Sequence, residues 1–275
     1  EETTYMTTSS ARPIAPTTRS EFSDVEAMPP AVILAAGAGS RLYRDGDPPK
    51  PLMVLMGMTL IERSMRTAAT AGVDRFIVVA GHRGDEVAEC AVRLGYRLGL
   101  DVEIAESLQW ELGNGASALA CEPYVDDRFF VLMSDHIYSP QFLRRLVNRD
   151  DGERACALVV DRNLPSVYDL DEATKVRLGG DEITAISKTL TEFDAADTGV
   201  FMFRQPLFDA LREAAANGEH TLGSAVQILA ERRDATWVPA NGLLWQDIDT
   251  QDDLAVARER LLADTAGRSE AAITV

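Results

Sequence analysis

At 275 residues, 46% hydrophobic and 26% charged, the chain has the make-up of a globular protein and is long enough for one large α/β domain or two small ones. Its formal net charge of −17 repels nucleic acid and anionic membrane surfaces, and no apolar run approaches the ~20 residues of a membrane helix. Cys90, Cys121 and Cys156 are scattered, as are His82, His136 and His220, which argues against a disulfide framework and a zinc site and fits a reducing, cytoplasmic setting.

Residues 1–30 are rich in Thr, Ser and Pro, lack the basic-then-apolar order of a signal peptide, and read as a disordered tail. The apolar run 31–36 reads as a strand buried on both faces, and 59–72 as a helix closed by Gly72. A strand at 75–81, a helix at 84–99 and an alternating strand at 101–107 follow. Next come a helix at 115–124, a strong strand at 128–135, a helix at 139–150 with Ser139 as cap and Pro140 in its first turn, and a strand at 155–161. Such alternation predicts a parallel sheet with helices on both faces.

After Asp161 the pattern changes. Residues 174–190 read as two β segments around Gly179–Gly180–Asp181, and 198–203 as a further strand. Helices at about 206–217 and 221–233, short β segments at 235–240 and 243–249, and a helix at 250–263 capped by Thr250 complete the order, before a frayed end at 264–275. No linker or repeat interrupts 31–263, which reads as one domain with halves at about 31–161 and 162–250.

The turn after the first strand carries the first chemical signal. Gly37 and Gly39 lack the Cβ that would keep backbone N–H groups from a phosphate, and Arg41 and Lys50 add two full positive charges. Leu42 stands where a dinucleotide fingerprint needs its third glycine, and Pro51 follows Lys50 where a Walker loop needs Ser or Thr. Lysine occurs only at Lys50, Lys175 and Lys188, against 24 arginines, so a compact flexible cation is kept at three places.

Other stretches allow two readings each. Asp135, at the end of the strongest strand, either caps the following turn or binds magnesium, which is held by one or two carboxylates plus substrate phosphates. Asp247 and Asp249, two apart on a strand, point the same way; Asp249 could instead serve the Thr250 helix start. "GNGAS" (113–117) is either a turn with a helix cap or a ligand loop, and lysines on exposed strands are usually just solvated. The loop 43–49, with Asp45 and Asp47, is more acidic than a triphosphate clamp requires.

"GAGSRL" followed by "PKPL", with "GNGAS", "MSDHIYS", "DEATKVRL", "DTGVF" and "LWQDIDT", resembles the sugar-phosphate nucleotidylyltransferases and, among them, the inositol-1-phosphate cytidylyltransferases, over about 31–262. The resemblance implies a Rossmann-like, GT-A-like α/β fold with a mixed, mainly parallel sheet. It implies transfer of CMP from CTP to inositol 1-phosphate, giving CDP-inositol and pyrophosphate, with Mg2+ on Asp135 and Asp247. Ala35, Ala36, Gly37, Gly39, Ser40, Arg41 and Lys50 would hold the nucleotide phosphates, and Gly113, Asn114, Gly115 and Ser117 would lie over base and ribose. Lys188 would hold the acceptor phosphate, joining Arg41 and Lys50 as the catalytic cations. Lys175 would contact the acceptor or order its lobe, Thr198 and Gly199 would line the pocket, and Asp197 and Glu172 would accept bonds from ring hydroxyls.

The expected partners are thus a nucleoside triphosphate and a small phosphorylated alcohol, with a homodimer left open. Another nucleotide, or another cyclitol phosphate, a sugar 1-phosphate, phosphocholine or a phosphonate, would use the same machinery. A nucleotide-sensing module without turnover is the reading from another class. In many relatives a membrane-embedded phosphotransferase domain follows; the chain shows none, so it reads as a stand-alone enzyme or an excised domain.

Overall fold

Strand β1 (Ala31–Ala35) is buried at every residue, as an apolar run without alternation requires. The computed structural model describes residues 27–42 and 46–273, side chains beyond 265 excepted; most of the predicted N-terminal tail and Asp45 lie outside the described residues. In chain order β1 is followed by β2 (Val54–Leu55), β3 (Met58–Thr59), α1 (Leu60–Ala71), β4 (Arg75–Ala80), α2 (Gly84–Leu98), β5 (Asp101–Glu106), α3 (Asn114–Ala118), β6 (Arg128–Met133), β7 (His136–Tyr138), α4 (Gln141–Arg149) and β8 (Cys156–Asp161). Then come β9 (Lys175–Gly179), β10 (Glu182–Ser187), β11 (Ala195–Arg204), α5 (Pro206–Ala216), α6 (Leu222–Glu231), β12 (Ala235–Pro239), β13 (Trp245–Asp247) and α7 (Gln251–Ile273).

Nine strands form one mixed sheet in the order β5-β4-β1-β6-β11-β8-β12-β10-β9. Parallel pairing joins β5, β4, β1 and β6. From β11 onward the pairing is antiparallel, apart from the parallel β8–β12 pair. The change of style after Asp161 is thus a change of strand direction.

Alternation along the strands feeds two core layers. Ile33 of β1 packs with Ile61 and Met65 of α1, Leu94 of α2 and Phe142 of α4. Val32 and Leu34 face the opposite layer, with Phe208 of α5 and Leu229 of α6. Fully burying such a side chain stabilises by roughly 1.5–3 kcal/mol. A third, smaller cluster seats α7 on Leu42, Leu55 and Ile248.

Several elements differ from the sequence reading, among them the unexpected β2–β3 hairpin and β11, which starts three residues before the expected 198. The predicted helix at 115–124 is α-helical only to Ala118 and tightens to 3-10 geometry over Leu119–Tyr124, which contains Pro123. The closing helix runs ten residues past 263, to Ile273. Strand β7 lies between a strand and a helix where no turn signal marks it, and it pairs antiparallel with β13, setting His136 opposite Asp247. Trp245 ties this ribbon to the sheet by donating its indole N–H to Asp161 at 2.8 Å. Among the described residues no helix is long and apolar enough to cross a membrane.

Candidate active site

The chain leaves β1 at its carboxyl end and turns at once, with Leu42 N–H donating to the Gly39 carbonyl at 3.0 Å. Gly39 has φ +61, and a Cβ there would lie 2.6 Å from Cβ of Lys50. Its glycine is therefore required by the Lys50 stem beneath it, not only by room for a phosphate. At Gly37 the equivalent space is open, and Ser40 and Arg41 are exposed beside it.

Lys50 lies between two prolines at the start of a 3-10 turn (Lys50–Leu52), and is only 7% exposed. Its ammonium donates to Asp135 at 2.5 Å and to Asp249 at 2.6 Å. Arg41 donates to the other oxygen of Asp249 at 2.8 Å and lies 3.8 Å from Glu172 across the cleft. Burial works against the Lys50 charge, but the two carboxylates outweigh it and raise its pKa. The sequence left Asp249 between a metal role and the helix start. The structure makes it the counter-ion of both cations, while Thr250 caps α7 by accepting the Asp253 N–H at 3.2 Å and Asp253 in return accepts from the backbone N–H groups of Asp249 and Thr250.

Beyond Lys50 the carboxylates accumulate. Burial opposes the Asp135 charge, yet Lys50 and a 2.8 Å hydrogen bond with His136 Nδ1 hold this carboxyl well below the usual range. Burial would likewise lower the His136 pKa, but Asp135, Asp247 and Asp197 raise it. Asp197 is pushed up to about 6 by burial, with Asp247 adding to it, although it accepts the Gly199 N–H at 2.7 Å. Asp247 is also raised, first by burial and then by Asp249, Asp135 and Asp253, and its carboxylate has no hydrogen-bond partner among the described residues.

A cavity of about 830 Å3 opens from this cluster toward the second half of the chain. Asp135, His136, Asp247 and Asp249 line its inner end, Glu172, Lys188, Asp197 and Gly199 its sides, and residues of α5 and α6 its far wall. Lys188 is the one lysine or arginine on the wall, and its ammonium makes no ion pair among the described residues. A glycine turn with two cations thus meets, across Asp135, a pocket of the size small ligands use.

A family model for MobA-like NTP transferase domains matches residues 31–235. The chain belongs to that family. Among curated relatives of this transferase, a "Bifunctional IPC transferase and DIPP synthase" from Rubrobacter xylanophilus is 37% identical over 89% of the chain and 54% of the relative. A protein of the same name from Archaeoglobus fulgidus is 35% identical over 85% of the chain and 44% of the relative. The chain therefore spans about half the length of these relatives. The solved inositol-1-phosphate CTP transferase from T. maritima is similar at TM-score 0.75 and 26% identity, over 82% of this chain and 91% of that one.

Several residues singled out in the sequence sit elsewhere in the transferase domain than expected. Thr198 is fully buried and donates to the Val159 carbonyl at 2.8 Å, so its side chain does not line the cavity. Lys175 is also off the wall: it is 8% exposed, and its ammonium donates to three backbone carbonyls. Ser117 is 3% exposed and donates to the Gly113 carbonyl at 3.2 Å. Gly113 and Gly115 press on the backbone of His220 and Thr221, and the Asn114 carbonyl oxygen accepts the Leu222 N–H at 2.9 Å, so "GNGAS" latches α3 to the start of α6. Asn114 alone of the five reaches the cavity wall.

His136 and Gln227 are among the wall residues that the sequence did not single out. His136 was inside a quoted motif, but a lone histidine gives no signal until β7 sets it opposite Asp247. Gln227, on the far wall, accepts the Ile186 N–H at 2.9 Å and was legible only as part of a helix.

The donor set suits magnesium. Among the described residues no three His, Cys, Asp or Glu side chains form a cage, whereas Asp135 and Asp247 share the inner end of the cavity. Magnesium is held by one or two carboxylates completed by phosphates and water. The unpartnered Asp247 carboxylate is the observation that favours a cation there.

Proposed function

We propose that this domain transfers a cytidylyl group from CTP to inositol 1-phosphate, forming CDP-inositol and releasing pyrophosphate. The observation that carries the chemistry is Lys50 bonded to Asp135 where the glycine turn meets a cavity whose one strong cation is Lys188. The choice of cytidine and inositol rests on likeness to the T. maritima transferase and to the relatives whose name includes IPC transferase.

In this reading the nucleotide phosphates lie over Gly37 and Ser40 and take Arg41 and Lys50 from Asp249. The acceptor phosphate rests on Lys188, and Asp197 and Glu172 accept hydrogen bonds from its hydroxyls. A phosphate monoester has a second pKa near 6, so its oxygen is ionised at neutral pH and no side chain need remove a proton. That oxygen forms a bond to the α-phosphorus in line, and the bond to pyrophosphate breaks with its electron pair. Arg41 and Lys50 meet the charge that develops on the transferred and leaving groups. Magnesium on Asp135 and Asp247, when bound, supplies neutralisation between the two phosphates.

The test is pyrophosphate release with magnesium, scanning CTP, GTP, ATP and UTP against inositol 1-phosphate and other phosphomonoesters. Release confined to CTP with inositol 1-phosphate supports the proposal, and a different productive pair replaces the substrates while keeping the chemistry. Tight nucleotide binding without release for any pair would turn the assignment to a sensing module.

A further inference from the structure

We infer that Lys175 is a positioning residue for acceptor recognition, acting through the backbone on either side of Glu172 and at Lys188. The inference rests on the acceptor reading of the cavity given above. The Lys175 ammonium donates to the carbonyls of Asp171 at 2.7 Å, Ala173 at 3.3 Å and Lys188 at 3.0 Å. These bonds use all three of its N–H donors.

The place of this ammonium explains its work. Lys175 opens β9 and faces Ser187, the last residue of β10, so the hairpin ladder ends at this pair. Beyond it the strands diverge, and each branch carries one charged side chain of the cavity wall, Glu172 on one and Lys188 on the other. The β9–β10 ladder supplies no partner to these branches; β11 holds the first through the Asp197 N–H on the Thr174 carbonyl at 2.9 Å, and one buried cation ties the two branches to each other. Glu172 is thereby held where it reaches Arg41 of the glycine turn at 3.8 Å.

Filling space would not select this residue. A buried ammonium with no carboxylate partner among the described residues is costly, and an apolar side chain would avoid that cost but leave three carbonyls without their donor. What an apolar residue does not supply is direction to three carbonyls. The same side chain is one of only three lysines in the chain, and the other two stand at the two ends of the proposed reaction.

The test combines kinetics with hydrogen exchange. Lys175→Met is expected to bind nucleotide within about 2-fold of the parent and to lose about 100-fold in kcat/KM for the acceptor, mainly through KM. In a cycle with Lys188→Ala, the two losses are expected to fall short of additive, because Lys175 acts in part through Lys188. Amides at 171–174 and 188–190 are expected to exchange faster while β1 and β6 stay protected. Additive losses, an equal loss of nucleotide affinity, or unchanged exchange at both branches would each overturn the inference. If Lys175→Met does not fold, Lys175→Arg keeps the charge but not the three-way geometry and is expected to show the same acceptor-specific loss; unfolding of both variants also overturns it. If the parent turns over no nucleotide and acceptor pair, the proposed activity fails, and hydrogen exchange still decides whether Lys175 ties the two branches.

Discussion

The Asp249 carboxylate meets the Lys50 ammonium at 2.6 Å across 199 residues of sequence, and its second oxygen holds Arg41. Both cations proposed to hold the triphosphate are thus paired internally in the free protein. Nucleotide binding becomes an exchange of anions, and Asp249 competes with the phosphates. Asp249→Asn is therefore expected to tighten nucleotide binding about 10-fold, or ~1.4 kcal/mol, in calorimetry without metal. Equal or weaker binding would remove the competition argument.

Lys50→Met keeps an unbranched stem against Gly39 and deletes the charge. Turnover is expected to fall about 100- to 1,000-fold, the scale set by loss of one preorganised donor to a charged transition state. Circular dichroism and steady-state kinetics check fold and rate together. Near-parental turnover would take Lys50 out of the chemistry.

The Asp197 carboxyl, raised to about 6 from 3.8, holds its proton more tightly in the folded than in the unfolded chain. Its contribution to stability is complete below about pH 4 and is lost as pH rises through about 6. His136, also raised, acts with the same sign, whereas Asp135, held low, loses its contribution only as pH falls. Metal-free Asp197→Asn should match the parent near pH 4 and exceed it by roughly 2 kcal/mol at pH 7.5, as read by denaturant unfolding. A constant difference between the two pH values would assign the effect to something other than titration.

Gly199 has φ +73, and a Cβ there would lie 2.5 Å from the His136 ring, which is half-buried and hydrogen-bonded to Asp135. Neither the backbone nor the ring can give way cheaply. Gly199→Ala is expected to destabilise by about 2 kcal/mol or more. A loss under about 0.5 kcal/mol would show that the ring moves freely.

Asp247 carries its charge beside other carboxylates with no partner of its own. Asp247→Asn should raise the thermal midpoint of the metal-free protein and abolish the midpoint gain that added Mg2+ gives the parent. Retention of that gain would place the metal on other groups.

Much of the frame was legible because buried strands announce themselves as apolar runs, and 31–36, 75–81 and 128–135 all fell on strands. Arg41, Lys50 and Asp135 stood out because each lies in a motif at or just past a strand end, and the structure brings Lys50 onto Asp135 and links Arg41 to it through Asp249. What stayed hidden depended on partners remote in sequence. Asp249 stays between a metal role and the helix start until Lys50 is beside it, and "GNGAS" between a capped turn and a ligand loop until the His220 carbonyl is seen against its glycines. Thr198 was set on the pocket wall by resemblance, and its hydroxyl turns instead to the Val159 carbonyl, a partner 39 residues away.

β6, which delivers Asp135, and β11, which carries Asp197, are hydrogen-bonded neighbours in one sheet. On the proposed reading, the nucleotide end and the acceptor end are therefore set one interstrand spacing apart, about 4.8 Å, which a backbone ladder fixes. A reaction measured on such a ruler does not need two lobes to swing together to bring its partners into range. Surface loops can vary in length, and helices can breathe against the sheet, while the distance over which one phosphate must reach another is left unchanged.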